Sequence, residues 1–209
     1  MYENEIIVVD DFFPKYIQKQ ILLKFDDGNL QWTYNKFVTF GYTNNKFVSN
    51  LKSYNDSIMD TDAFISRLDK DSEENKELKN NLENFIKAKF NITVSEILRW
   101  MFVYNPPDPN LPDNFRLPSH VDFDNLSQTN FLYYINDNDA PTLFFNQKKE
   151  KFKKSDDEIL AKQEIIKQVY PKQGRAVLFN GLIYHAGNVS KYNKRLTMNL
   201  NFKSQDQIT

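Results

Sequence analysis

Residues 195–202, Arg-Leu-Thr-Met-Asn-Leu-Asn-Phe, alternate between polar and apolar without a break. Successive side chains of a strand point to opposite faces. The segment therefore presents Arg195, Thr197, Asn199 and Asn201 on one side and Leu196, Met198, Leu200 and Phe202 on the other. The apolar side needs a packed layer, and helices can supply it. The polar side then lines an interior, where an uncompensated arginine is very costly. A strand of this kind constrains the chain to a β-barrel or sandwich with a polar lumen.

The rest of the sequence fits that frame. Ile6 to Val9 is a β-branched run. Pro14 suits a first helical turn, and Ile17, Ile21 and Phe25 recur at helical spacing until Asp26-Asp27-Gly28. Residues 30–40 alternate as a strand. Residues 61–69 and 72–89 read as helices, the second with Leu78, Leu82, Phe85 and Ile86 in one stripe. Ile97 to Tyr104 is a strand stopped by Asn105-Pro106-Pro107. A proline-rich loop, Pro107 to Pro118, delivers the chain to His120. Strands then follow at Phe131–Ile135, Thr142–Phe145, Gly174–Phe179 and Leu196–Phe202. The interruption is 147–168, with five lysines between Lys148 and Lys154 and with Ile159, Leu160, Ile165 and Ile166, enough for a short helix. The expected fold is mainly β with flanking N-terminal helices, in one domain. Helices and strands over residues 1–95 support a β core over 96–203, and 147–168 is a charged insertion.

Composition removes several function classes. With 27 basic and 28 acidic residues the net charge is −1, and no general nucleic-acid-binding surface is expected. The lysine run at 148–154 reads first as a solvated face and second as an attractor of acidic partners. The absence of cysteine excludes disulfides, thiolate zinc sites and cysteine nucleophiles. No apolar run approaches the roughly 20 residues of a membrane span. The acidic start Met1-Tyr2-Glu3-Asn4-Glu5 is unlike a signal peptide, so a soluble, cytoplasmic protein is expected. The oligomeric state is not legible.

The chain has two histidines, His120 and His185. His120-Val121-Asp122 places an imidazole and a carboxylate at i and i+2, on one side of a strand. His185 comes from a different strand. Two imidazoles and a carboxylate make a facial metal triad, which suits Fe(II), although Zn(II), Mn(II), Co(II) and Ni(II) also bind such a set. Three open octahedral positions would take a chelating 2-oxo acid and dioxygen. At this acidic content a carboxylate follows two after any histidine with a chance of about 13%, so His-x-Asp alone is weak. Weight comes from order: His120-x-Asp122, then His185 after Phe-Asn-Gly, then Arg195 opening the alternating strand. A bound carboxylate would compensate Arg195 bidentately, with Thr197 placed to donate to the same anion. The alternatives are an internal Asp or Glu as partner, or a solvent-exposed polar face.

With these residues in place, the sequence resembles the Fe(II)/2-oxoglutarate-dependent dioxygenases, most closely their prolyl-hydroxylase-like branch, over about residues 97–203. The family fold is a double-stranded β-helix of the jelly-roll, cupin-like kind. The resemblance implies His120, Asp122 and His185 as metal ligands and Arg195 as the anchor of the distal carboxylate. Met101-Phe102-Val103-Tyr104-Asn105-Pro106 resembles the strand whose tyrosine lines the co-substrate pocket, here Tyr104. Leu132-Tyr133-Tyr134-Ile135-Asn136-Asp137 resembles the strand whose second tyrosine bonds that carboxylate, here Tyr134. Asn130 stands where relatives often carry a co-substrate-binding threonine. Asp139-Ala140-Pro141 replaces the usual glycine pair, and Asn201 lies near the place of a frequent tryptophan.

The implied activity is hydroxylation of a C–H bond, with Fe(II), 2-oxoglutarate as co-substrate, dioxygen, and ascorbate as reductant. The implied substrate is a small molecule or peptide, with a prolyl or other amino-acid residue favoured and 147–168 acting as a lid. Two other classes stand beside it. One is a non-catalytic β-helix used for binding or structure, whose signature would be a missing triad residue. The other is a cupin-type metal-dependent hydrolase or isomerase, which has no need of a dicarboxylate pocket.

Overall fold

The computed structural model of the chain describes residues 5–26, 28, 30–37, 61–111, 117, 119–123, 127–149 and 163–204. In chain order the elements are β1 (Ile6–Val9), α1 (Lys15–Asp26), β2 (Thr33–Phe37), β3 (Thr61–Arg67), α2 (Glu73–Phe90) and β4 (Val94–Asn105). There follow β5 (Thr129–Tyr134), β6 (Thr142–Lys148), β7 (Ile165–Val169), β8 (Ala176–Asn180), β9 (Ile183–Gly187) and β10 (Arg195–Ser204).

The alternating segment is β10, and it occupies the middle of the larger sheet. The order there is β1-β8-β5-β10-β4-β3-β2, and a smaller sheet runs β7-β6-β9, every pairing antiparallel. Leu196, Met198, Leu200 and Phe202 are buried outward against Ile17 and Ile21 of α1 and Leu82 and Ile86 of α2. On the other face Leu132, Tyr134, Val177 and Phe179 meet Phe144, Val169 and Ile183 of the smaller sheet. The two sheets thus face one another as a jelly roll, the double-stranded β-helix, with α1 and α2 packed on the back of the larger one.

Local signals explain both helices. Pro14 precedes α1, and its carbonyl accepts from the amides of Ile17 and Gln18. Ser72 caps α2, its hydroxyl accepting from the Asn75 amide at 3.3 Å, with Glu73 and Glu74 in the positive first turn. Asn91 closes the helix at φ 54°, the left-handed conformation asparagine tolerates. Gly174, at φ +85°, holds the turn into β8, and a Cβ there would lie 2.8 Å from the Gln18 side chain.

Two expectations are corrected. Residues 61–67 form a strand, not a helix, because β3 is paired on both sides, Phe64 with Tyr34 of β2 and with Tyr104 of β4. Ile165 and Ile166, read as part of a short helix in the insertion, belong to β7, whose ladder to β6 fixes them as sheet. Residues 150–162 of that insertion, Ile159 and Leu160 included, lie outside the described residues, as do 41–56 and 112–116 and 118 of the proline-rich loop. Among the described residues no helix is long and apolar enough to cross a membrane.

Candidate metal centre and anion pocket

The smaller sheet carries His185 in β9. His120 joins it by one antiparallel bridge, each backbone amide donating to the other's carbonyl at 2.9 and 3.0 Å. The 119–123 segment is thus a single bridge and a bend, not the strand expected of His120-x-Asp122. Even so, one ligand atom from each of His120, Asp122 and His185 lies within 4.8 Å of the others. No other group of three His, Cys, Asp or Glu side chains is so clustered among the described residues.

The His185 imidazole is held in one tautomer. Nδ1 of His185 lies 3.0 Å from the Ile183 carbonyl, a contact that places the proton on Nδ1 and leaves the Nε2 lone pair facing Asp122 Oδ2 at 3.8 Å. Burial, with His120 beside it, pushes the His185 imidazole down to about 4, so the ring is neutral near pH 7. Nδ1 of His120 is buried and has no hydrogen-bond partner among the described residues. A divalent metal fits this set of two imidazole nitrogens and one carboxylate oxygen.

Asp122 is held from three sides. Arg99 Nη2 donates to Oδ1, while Asn130 Nδ2 and Asn201 Nδ2 donate to Oδ2 at 2.7 and 2.9 Å. Asn201 also donates to Asn130 Oδ1 at 2.7 Å and accepts from Arg99 Nε at 2.8 Å, closing the network. Burial pushes the Asp122 carboxyl up. The Arg99 guanidinium and the two histidines outweigh it and hold the group well below the usual carboxylate range. Asn130, expected beside the co-substrate, thus serves the metal side by orienting Asp122.

Arg195 lies farther along the inward face of β10 and is 5% exposed. Its Nη2 donates to Thr142 Oγ1 at 2.9 Å, its Cζ stands 5.5 Å from the Tyr134 ring centre, and its Nε is buried without a partner. Among the described residues no carboxylate pairs with it, and it is buried. Tyr134 donates to the same Thr142 oxygen at 2.7 Å. Burial pushes the Tyr134 phenol up, so it stays a donor. Thr197 is fully buried and its hydroxyl has no partner among the described residues. Among the described residues the Arg195 Nε and the Thr197 hydroxyl thus both lack a partner, and Thr142, which sequence reasoning had not marked, is the hinge between Arg195 and Tyr134.

Tyr104 does not join them. It pairs with Leu196, on the opposite face from Arg195, and packs among Phe25, Trp32 and Phe64. The expected role is corrected by the strand period. Inward positions of β4 are Arg99, Met101, Val103 and Asn105, which face Asn201, Asn199, Thr197 and Arg195. Arg99 was missed, although stepping back by two from Met101 reaches it.

No protein-family model matches the chain, and no curated protein matches it in sequence. Solved structures do match. A prolyl hydroxylase from Trichoplax adhaerens, in complex with a hypoxia-inducible-factor oxygen-degradation-domain peptide, superposes with a TM-score of 0.59 at 13% identity, covering 96% of this chain and 84% of that one. An oxidoreductase of the 2-oxoglutarate–Fe(II) oxygenase family from Burkholderia pseudomallei gives 0.56 at 12% identity, over 96% and 86%. A non-heme, alpha-ketoglutarate-dependent carbocyclase from nogalamycin biosynthesis gives 0.63 at 8% identity, over 96% and 80%. The chain therefore has the double-stranded β-helix fold of the 2-oxoglutarate–Fe(II) oxygenases, prolyl hydroxylases among them, and carries a complete His-x-Asp…His triad within it.

Proposed function

We propose that the protein is an Fe(II)- and 2-oxoglutarate-dependent dioxygenase that hydroxylates a C–H bond of an amino-acid-derived substrate, a prolyl group favoured. The observation that carries this reading is the buried guanidinium of Arg195, which has no carboxylate partner among the described residues and lies on the strand that also reaches Asp122 through Asn201. His120, Asp122 and His185 would hold the metal, and Arg195, Thr197 and Thr142 would hold the distal carboxylate of the co-substrate. Fe(II), 2-oxoglutarate and dioxygen, when bound, would supply the oxidant, with succinate and carbon dioxide as the co-products.

The protein's own part is placement. The Ile183 carbonyl fixes the tautomer of His185. Asn130, Asn201 and Arg99 orient Asp122. Tyr134 and Arg195 share the Thr142 oxygen, which keeps the guanidinium edge aimed along the inward face before any anion arrives. An anion pocket of this kind favours a dicarboxylate-dependent oxidation over the hydrolysis or isomerisation of other jelly-roll metal proteins. The complete triad favours catalysis over a purely structural role.

The test is succinate formation from 2-oxoglutarate, with Fe(II) and ascorbate supplied, in the presence of pooled peptides and free amino acids. Wild-type protein is expected to release succinate and His185→Ala to release none. Equal succinate from the two proteins would contradict the reading.

A further inference from the structure

We infer that Arg99 is a second anion anchor, on the far side of the metal triad from Arg195, and that the substrate carries a carboxylate which it binds. The inference rests on the dioxygenase reading and narrows its substrate.

Position comes first. Arg195 and Asn201 are six residues apart on one face of β10, about 20 Å at 3.3 Å per residue. Arg99 is the cross-strand partner of Asn201, and Asn105 is that of Arg195. The two arginines therefore lie at opposite ends of the inward face. Arg99 contacts Asp122, whereas Arg195 contacts Thr142.

Charge comes second. A divalent metal and a 2-oxo dicarboxylate cancel, and Arg195 and Asp122 cancel. The charge of Arg99 remains, and no inward position of β4, β5 or β10 among the described residues offers a carboxylate to meet it. Once a metal draws on the Asp122 carboxylate, the guanidinium shares with a dication its one anionic partner among the described residues. In a low-dielectric interior that imbalance favours an incoming anion.

Accessibility comes third. The Arg99 side chain is 24% exposed, against the 5% exposure of Arg195. Its Nε and Nη2 are engaged, and Nη1 meets no hydrogen-bond partner among the described residues. Phe123 lies beneath the guanidinium, 5.1 Å from ring centre to Cζ, and steadies its plane. A half-fixed, partly exposed guanidinium whose Nη1 is free among the described residues is suited to a carboxylate. A prolyl or other neutral residue inside a peptide has no such group, and an internal Asp or Glu has one only on its side chain. A free acid or a C-terminal residue has one.

The experiment uses the full-length protein loaded with Mn(II) and saturated with N-oxalylglycine, which occupies the Arg195 end. Probes are the N-acetyl derivatives of the common amino acids, each as the acid and as the carboxamide. Binding is read from the paramagnetic broadening of probe protons by Mn(II). At least one acid should bind roughly tenfold or more tighter than its amide, the size of one charge-assisted contact. Arg99→Gln should erase that preference and Arg99→Lys should keep part of it. Amides that bind as well as acids, an absence of binding by every acid, or a preference that survives in Arg99→Gln would each overturn the inference. If wild-type protein takes up neither Mn(II) nor N-oxalylglycine, the dioxygenase reading itself fails, which the same titration registers before any probe is added.

Discussion

Arg195 donates from Nη2 to the hydroxyl oxygen of Thr142 at 2.9 Å, and that neutral oxygen is what this buried cation has in place of a carboxylate among the described residues. The arrangement leaves a charge unmet in the interior, which a fold tolerates when a ligand meets it. Arg195→Met should raise the KM for 2-oxoglutarate by the worth of a buried charged contact, on the order of 2–5 kcal/mol. The affinity for Fe(II) or Mn(II) should change little, since Arg195 touches none of the three triad residues. Parallel titrations of metal and 2-oxoglutarate check this. An unchanged KM would place the anion pocket elsewhere.

Tyr134 bears on the same anion indirectly. Its hydroxyl donates to Thr142, not to open space. Tyr134→Phe should weaken 2-oxoglutarate binding by about 1 kcal/mol, the worth of one neutral hydrogen bond. Thr142→Val, which removes the oxygen shared by both donors, should weaken it more. A larger effect from Tyr134→Phe than from Thr142→Val would show that the phenol bonds the co-substrate directly.

Much of this site was legible in the sequence, and the misses have physical causes. The alternation of 195–202 could be read because both faces of β10 are buried but differ in chemistry. The triad could be read because only two histidines exist. Tyr104 was placed by motif, and the period of two then overruled the motif, since Tyr104 sits with Trp100 and Phe102 on the helix-facing side. Residues 61–67 became a strand through pairing with β2 and β4, distant segments that no local pattern announces. The Asp122 cradle depends on Arg99, Asn130 and Asn201 meeting across three strands, a relation that exists only after β5, β10 and β4 are in register.

Gly181 offers a test of that cradle from a distance. A Cβ at this position would lie 2.3 Å from Gln128 Cγ and 2.8 Å from Asn130 Oδ1. Gly181→Ala must displace both side chains, and Asn130 is one of the donors holding Asp122. The expected result is a loss of about 1–3 kcal/mol of stability from overpacking. Divalent-metal affinity should also fall by roughly tenfold or more, as for other losses of an outer-shell partner. Thermal melting and metal titration of the variant measure the two effects separately. Full metal affinity in a destabilised variant would show that Asn130 is not needed to orient Asp122.

Asp10 gives a pH dependence remote from the site. Arg175 Nε donates to its Oδ1 at 2.6 Å and Lys172 Nζ to its Oδ2 at 2.8 Å, which together lower its pKa to about 2. The folded value lies below the unfolded one, so the contribution is complete above about pH 4 and is lost as the pH falls toward 2. Asp10 is 39% exposed, so solvent limits the gain to below about 1 kcal/mol. Asp10→Asn should therefore lower the melting temperature slightly at pH 7. In urea titrations the difference from wild type should shrink between pH 4 and pH 2, and a difference constant across that range would contradict the assignment.

The most direct measurement is an anaerobic titration of the protein with Fe(II) and 2-oxoglutarate, followed by visible absorption. A saturable band from the chelated 2-oxo acid is expected in wild-type protein, absent when His120, Asp122 and His185 are all replaced by alanine. A triple-alanine variant that gives the same band and still turns 2-oxoglutarate into succinate would contradict the account at its centre.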